Sequence, residues 1–341
     1  MSSRIASPRP TAQQRHETLE VVRWYLKLYH GTDDDSGVAA MFCDPARVGA
    51  FAVSKAALAA GEPEALFRVL IAVTMFQRLA DQLILKILRG IPAAVVDELT
   101  APSTLVAQLV ASGCPHGRSL EGLLTACDLT KDIASRGVCS REPGISCSLK
   151  QHTEVLKRYG HFGKVPTSLA FALQESGVPD LRALREQCLA EGAGSAAQAA
   201  ELLESKLRRA WRVSDKVAAM FLSLVSNPEL SPGLAPWSEG LDWRRWVVID
   251  SNVDQFLKTL GYPGPWTYPA RQQFLERLAE GIDLSELKPG LSSYNPRLVQ
   301  QALYLFTSTT NRKALARDCA HAVPSECGGC VLRERCGVRR G

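Results

Sequence analysis

Four cysteines stand close together near the carboxyl end of the chain. The stretch CAHAVPSECGGCVLRERC covers residues 319–336 and spaces its thiols as Cys-x7-Cys-x2-Cys-x5-Cys. A structural zinc site usually pairs two Cys-x2-Cys motifs that are far apart in sequence, whereas one such close pair is present here. Four thiolates on one compact loop suit an iron–sulfur cluster, which takes ligands from several directions. We therefore expect a metal centre that stabilises this segment and is bound by Cys319, Cys327, Cys330 and Cys336. An iron–sulfur cluster is favoured, and zinc is the alternative.

The composition indicates a soluble globular protein in a reducing cytoplasm. Hydrophobic residues make up 46% of the chain and charged residues 22%, as in ordinary globular domains. The longest apolar run, LFRVLIAVTMFQRLADQLILKIL, carries four charged residues and is not expected to span a membrane. The opening MSSRIASPRP leads into no apolar run, so no secretory signal is expected. In such a compartment, clustered cysteines more often bind a metal than form disulfides.

The chain is mildly basic, and much of the positive charge lies beside the clustered cysteines. The formal net charge is +5, and residues 311–341 hold seven Lys and Arg residues against three Asp and Glu residues. Such a segment can be solvated surface or can face the phosphates of a nucleic acid. Charge alone leaves both interpretations open.

Hydrophobic periodicity predicts that most of the chain is helical. In residues 15–29 the apolar side chains recur on one helical face. Residues 65–89 carry a broader apolar stripe, which includes Leu83 and predicts one long central helix. Strand signals are scarce, and WVVID at 246–250 is short, so we predict an all-α protein. Further helices are predicted at 119–130, 148–159, 180–190, 195–209, 215–226, 252–260, 268–280 and 296–309. The last has Asn295 at the cap position and Pro296 in its first turn.

Irregular segments are predicted where glycine and proline accumulate. Residues 1–10 are expected to be disordered, and residues 131–147 and 227–240 are expected to be long connections. Four more cysteines are spread widely through the middle of the chain. They are expected to be small buried hydrophobic side chains rather than metal ligands, and they are Cys114, Cys127, Cys139 and Cys147.

Two charged residues stand at the starts of predicted helices. Lys216 lies at the beginning of the helix predicted at 215–226, where the positive end of the helix dipole disfavours an ammonium ion and favours a nucleophilic amine. Asp250 directly precedes the helix predicted at 252–260, where an aspartate can serve simply as an N-cap. Taken alone, each residue has a sufficient structural explanation.

Four stretches together resemble the helix-hairpin-helix DNA glycosylase superfamily, in its endonuclease III-like branch. ALFRVLIAVTMFQRLADQ is similar to an early helix of the family that carries a glutamine at the position of Gln77. VSDKVAAMFL resembles the second half of the hairpin, with Lys216 at the site of the catalytic lysine. VVIDSNVDQFLKTLG resembles the segment that bears the catalytic aspartate, at Asp250. The final cysteines resemble the family's cluster loop, and the order of the four stretches also follows the family.

The resemblance implies a two-lobed all-α fold with a C-terminal four-cysteine [4Fe-4S] loop at 319–336. One lobe would be a helical barrel with the hairpin, residues 62–230. The other would join residues 11–61 to residues 246–341. Double-stranded DNA would bind across the cleft between the lobes, and a damaged or modified base would be flipped out for excision. We expect a cytoplasmic, nucleoid-associated monomer with no membrane partner.

The resemblance also implies roles for single residues. Asp250 would stabilise the positive charge on the sugar as the base leaves, and Lys216 would attack C1′ to form a Schiff base, which gives the glycosylase an associated AP lyase activity. Gln77 would fill the gap left by the flipped nucleotide. The remaining expected DNA contacts are made by the hairpin and the cluster loop, through Arg212, Ser214, Arg333 and Arg335.

The sequence departs from the family at the hairpin and in a loop. The family hairpin usually reads leucine-proline-glycine-x-glycine, whereas AWRVSDK places Arg212 and Ser214 where the glycines are expected. Without these glycines a close backbone approach to phosphate is disfavoured, and the charge of Arg212 would replace it. Thirty-three residues separate Lys216 from Asp250, roughly twice the family's usual interval. The inserted loop predicts an unusual substrate base, such as a bulky or hypermodified one.

Two other functions compete with a DNA glycosylase. The hairpin departures favour a non-catalytic DNA-binding protein that retains the fold and the cluster, whereas the presence of both Lys216 and Asp250 opposes it. A zinc-stapled helical protein with no role on DNA is the third interpretation. Iron in the purified protein would exclude that third interpretation.

Overall fold

A computed structural model describes most of the chain between residues 8 and 308, and the described residues fall into two compact units. The first unit comprises residues 1–38, 229–232 and 244–341, and the second comprises 39–228 and 233–243. Residues 39–61, which the sequence interpretation grouped with the N-terminal helix, therefore lie in the second unit. Residues 1–7, most of the stretch expected to be disordered, lie outside the described residues. The described ranges are 8–30, 37–77, 79–127, 139, 142–147, 149 and 163–308.

The described residues form sixteen α-helices and no β-strand, which confirms the all-α class for this part of the chain. Short 3-10 turns occur at Val38–Cys43, Gly49–Phe51 and Trp243–Arg245. The first eight helices are α1 Ala12–Leu28, α2 Pro45–Val48, α3 Lys55–Ala59, α4 Pro63–Thr74, α5 Asp81–Arg89, α6 Ala93–Leu99, α7 Pro102–Ala111 and α8 Leu120–Thr125. The remaining helices are α9 Lys164–Glu175, α10 Leu181–Glu191, α11 Ala196–Leu207, α12 Asp215–Ser226, α13 Ser251–Thr259, α14 Tyr268–Ala279, α15 Leu284–Leu287 and α16 Pro296–Thr307.

The first unit is built around α16. Helices α1, α13 and α14 all pack against it, and most of its side chains are buried. Its start follows from its sequence, because Asn295 caps the helix by accepting a hydrogen bond from the Leu298 N–H at 3.0 Å, and Pro296 takes the first helical position. Both roles were predicted from the sequence. The surrounding core is aliphatic and aromatic and includes Val22, Phe256 and Phe274.

The second unit packs its most apolar helices in the middle. Helix α4 lies against α12, and α10 pairs with α11. Nearly every side chain of α4 from Ala65 to Thr74 is buried, as the apolar stripe predicts. Helix α9 packs against α4, α7 and α8, although the sequence analysis did not predict a helix there.

The prediction of one helix over 65–89 is wrong, because the chain breaks between α4 and α5. The Thr74 hydroxyl donates to the Ile71 carbonyl at 2.7 Å, which competes with continued helical hydrogen bonding. The interruption changes the helical phase, so Leu83 is 52% exposed while Ile84 and Leu88 are buried. Gln77 therefore lies in an irregular turn rather than on a helix.

Most other predicted helices are found with small shifts at their ends. Helices α10 to α14 and α16 lie within the predicted ranges or one residue outside them. The helix predicted at 119–130 ends earlier, at Thr125. The helix predicted at 148–159 falls, apart from Leu149, outside the described residues. WVVID forms no strand.

Within the described ranges, no helix combines the length and the apolar character that crossing a membrane requires.

Candidate functional site

The break after α4 brings together two of the residues singled out from the sequence. The Lys216 ammonium donates a hydrogen bond to the Phe76 carbonyl at 3.0 Å, across 140 positions of sequence. The Gln77 amide donates to the Thr74 carbonyl at 2.7 Å and to the Arg212 carbonyl at 3.3 Å. The Thr74 and Phe76 carbonyls lie at the carboxyl end of α4, where a cation is also favoured by the dipole. Lys216 and Gln77 are thus anchored at the same turn.

Arg212 occupies a backbone conformation that ordinarily selects glycine. Its φ is 61°, in the left-handed region. The family hairpin that this segment resembles has glycine at this position. The chain therefore forms a left-handed turn with an arginine, although glycine adopts this conformation most readily. Ser214, at the second expected glycine, has a φ of −81° and is not strained. The turn geometry therefore requires glycine-like freedom at Arg212 and not at Ser214.

The N-terminus of α12 lies beside this turn, close to two arginines that are paired with carboxylates. Ser214 is the N-cap residue, but its side chain makes no capping hydrogen bond. An open pocket next to it is lined by Ser205, Arg208, Arg209, Val213, Ser214 and Asp215. Arg208 pairs with Asp215 at 2.7 Å and Arg209 pairs with Glu175 at 2.5 Å. A helix N-terminus suits an anion such as phosphate, which would compete with these two carboxylates for the guanidinium groups.

Asp250 belongs to the first unit, where it caps α13. Its Oδ1 accepts hydrogen bonds from the Asn252 N–H at 3.0 Å and the Val253 N–H at 2.9 Å. The carboxylate is half-buried and is held in place by the helix it caps. The prediction of an N-cap is confirmed.

The sequence analysis missed a buried arginine whose charge acts on the same region. Arg297 is only 5% exposed, and it donates to the side chains of Gln300 and Gln301. Burial lowers the pKa of Arg297 to about 10, against a smaller opposing effect from Tyr25, Asp250 and other groups. Its place in the first turn of an amphipathic helix gave no signal of burial, since arginine at such a position is usually solvated.

A second missed cation packs against the residue that precedes Arg212. Lys164, on α9, is 2% exposed, and its ammonium lies 4.0 Å from the centre of the Trp211 ring. The backbone N–H of Trp211 donates a hydrogen bond to the Ser168 hydroxyl at 2.8 Å. The residue before Arg212 is therefore fixed to α9 through both its ring and its backbone.

The remaining predicted site residues lie outside the described residues. These are the four expected cluster ligands and the two arginines of their loop, namely Cys319, Cys327, Cys330, Cys336, Arg333 and Arg335. Within the part of the chain that is described, no three His, Cys, Asp or Glu side chains are gathered closely enough to hold a metal ion as they stand.

No protein-family model, curated protein or solved structure matches the chain.

Proposed function

We propose that this chain is a DNA glycosylase that extrudes a damaged or modified base from duplex DNA and removes it, with an associated lyase activity. The observation that carries the proposal is the meeting of Lys216 and Gln77 at the turn after α4, next to the N-terminus of α12. In such an enzyme, the nucleophile lies next to the residue that fills the gap and to the site that binds a phosphate.

Lys216 is the proposed nucleophile. Its ammonium ion first releases a proton to water, and the neutral amine then attacks C1′ while the bond from C1′ to the base breaks. The base leaves with that electron pair and takes up the proton that the nitrogen loses once it is bonded to C1′. The sugar ring then opens to a Schiff base, and loss of a C2′ proton eliminates the 3′ phosphate. The hydrogen bond to the Phe76 carbonyl holds the side chain at the turn before DNA binds.

Asp250 is the proposed electrostatic stabiliser of the sugar. The two backbone N–H groups that bind its Oδ1 favour the ionised carboxylate, and the buried Arg297 adds positive charge nearby. A fixed carboxylate stabilises the developing oxocarbenium charge without reorganising at the moment of reaction.

The proposed contacts with DNA are made by the hairpin and by the cysteine-rich tail. Arg212 and Ser214 would bind one phosphate through charge and through the N–H groups of α12. Cys319, Cys327, Cys330 and Cys336 would hold a [4Fe-4S] cluster, with zinc as the alternative, because four thiolates are the usual donor set of both. The bound group would order the tail and present Arg333 and Arg335 to DNA.

Covalent trapping tests this function. The purified protein is incubated with a panel of duplexes that carry different damaged or modified bases, and borohydride is added to reduce any Schiff base to a stable amine. We expect an adduct with one class of base in the parent protein and none in Lys216→Gln, which keeps a hydrogen-bond donor for the Phe76 carbonyl. Lys86→Ala, at an exposed lysine of α5, is the matched control and should trap normally.

A non-catalytic DNA-binding protein is the second candidate. The favouring observation is that Lys216 serves as a partner for the end of α4, which explains its presence without chemistry. Binding to duplexes throughout the panel, with neither base release nor an adduct, would select this candidate over the enzyme.

A further inference from the structure

Four cysteines of the second unit lie around one small hydrophobic cluster. Cys147 is buried within the cluster, and Cys114, Cys127 and Cys139 pack against its edge. The cluster is otherwise formed by side chains from α7, α8, α9 and residue Leu149. The sequence analysis expected these cysteines to be separate hydrophobic side chains, but the fold gathers all four in one place. They are spread over residues 114–147 and are distinct from the tail cysteines.

Turns and helix ends carry the cysteines. The Cys139 N–H donates to the Ile145 carbonyl at 3.2 Å, across a turn that closes with an Ile145 to Glu142 hydrogen bond. Cys127 follows the end of α8, where its N–H donates to the Gly122 carbonyl at 3.3 Å. The Cys114 carbonyl accepts from the Gly117 N–H at 3.1 Å in the turn after α7. Thiols on such turns can approach a common point by small backbone movements.

A buried cation stands beside the thiols. The Lys164 ammonium donates to the Cys127 carbonyl at 2.8 Å and is almost fully excluded from solvent. Four thiolates around Zn²⁺ carry a net charge of −2, and a buried ammonium ion favours a neighbouring anion. The charge at Lys164 thus complements a tetrathiolate centre.

We propose that Cys114, Cys127, Cys139 and Cys147 form a structural zinc site, separate from the tail cluster. The thiols are not gathered to ligand distance as they stand, and structural zinc sites commonly order their own loops on binding. Each thiol releases one proton as its sulfur bonds to Zn²⁺, and no electron is transferred. Tetrahedral coordination by four thiolates is the arrangement zinc adopts most readily in structural sites.

Zinc at this site would stiffen the hairpin turn. The metal would tie the turns that carry the four cysteines to one another, and Lys164 on α9 contacts both the Cys127 carbonyl and the Trp211 ring next to Arg212. The site itself does not depend on the proposed glycosylase activity, because its ligands make no contact with DNA in that proposal.

Metal content of full-length variants tests the proposal. Cys327→Ser with Cys330→Ser disables the tail site, so any remaining metal reports on the second unit. After dialysis against a chelator of moderate strength, mass spectrometry should find about one zinc per chain in this variant. Adding Cys127→Ser and Cys139→Ser, at half-buried positions, should remove it. Cys188→Ser, at a fully buried cysteine outside the cluster, is the matched control and should keep the zinc.

Replacement by Co²⁺ gives a readout that does not depend on stability. Sulfur-to-cobalt charge-transfer bands should appear in the tail variant and disappear with Cys127→Ser and Cys139→Ser, while circular dichroism confirms that helix content is retained. The proposal is overturned if the tail variant binds no zinc, if zinc stays after the additional substitutions, or if iron with sulfide is found in place of zinc.

Discussion

The left-handed backbone at Arg212 predicts an unusual response to glycine. A residue with a Cβ in this conformation costs about 1–2 kcal/mol relative to glycine, whereas glycine costs about 0.5–1 kcal/mol through the entropy of the unfolded chain. Since φ at Arg212 is 61°, Arg212→Gly should be more stable than Arg212→Ala by about 1 kcal/mol. Both variants lose the same guanidinium group, so the comparison isolates the backbone.

An exposed helical position supplies the control for this comparison. Glu201 lies in the interior of α11 and is exposed. There Glu201→Gly should be less stable than Glu201→Ala by about 1 kcal/mol, because glycine has low helix propensity. The sign of the glycine effect should therefore reverse between the two sites.

Thermal and urea unfolding, followed by circular dichroism, measure both pairs. A difference of about 1 kcal/mol corresponds to roughly 2–4 °C for a unit of this size. If Arg212→Gly is the less stable variant of its pair by as much as Glu201→Gly is of its own, the left-handed turn is not present in solution. The proposed phosphate contact at this turn would then lose its basis.

Three further results are expected. Asp250→Asn keeps an N-cap for α13, so it should lower base release while leaving the stability of the fold nearly unchanged. Asp250→Ala also loses the cap and should cost about 1 kcal/mol of stability. If Asp250→Asn releases the base as fast as the parent protein, Asp250 takes no part in the chemistry. Arg212→Ala should reduce the slope of log affinity for DNA against log salt by about one, and an unchanged slope would mean that Arg212 faces no phosphate. Burial raises the pKa of Glu276 above its ordinary value, so the folded form keeps a proton at pH values where the unfolded form has lost it. Stability therefore falls as pH rises from the ordinary pKa of a glutamate to the raised pKa of the folded state. Glu276→Gln should flatten that fall and be the more stable variant at neutral pH, which unfolding at pH 4 and pH 7 will show.

Local sequence patterns predicted the helices well where local forces decide them. Asn295 and Pro296 start α16 as expected, since capping and proline geometry involve neighbouring residues only. The long helix expected over 65–89 failed because its break is stabilised from elsewhere in the chain. Lys216 satisfies the Phe76 carbonyl at that break from 140 positions away, and periodicity contains no information about such a partner.

The sequence by itself determined the all-α class of the described residues and singled out Lys216, Gln77 and Asp250, because helical periodicity and motif order are written in the residues. Only the tertiary structure decided that Lys216 and Gln77 meet at one turn, and that Arg212 adopts a left-handed backbone. It also decided that the widely spaced middle cysteines share one cluster beside the buried Lys164. The physical reason is that burial and proximity arise from packing between segments that are distant in sequence, and a buried charge or thiol looks like a solvated one until its neighbours are known.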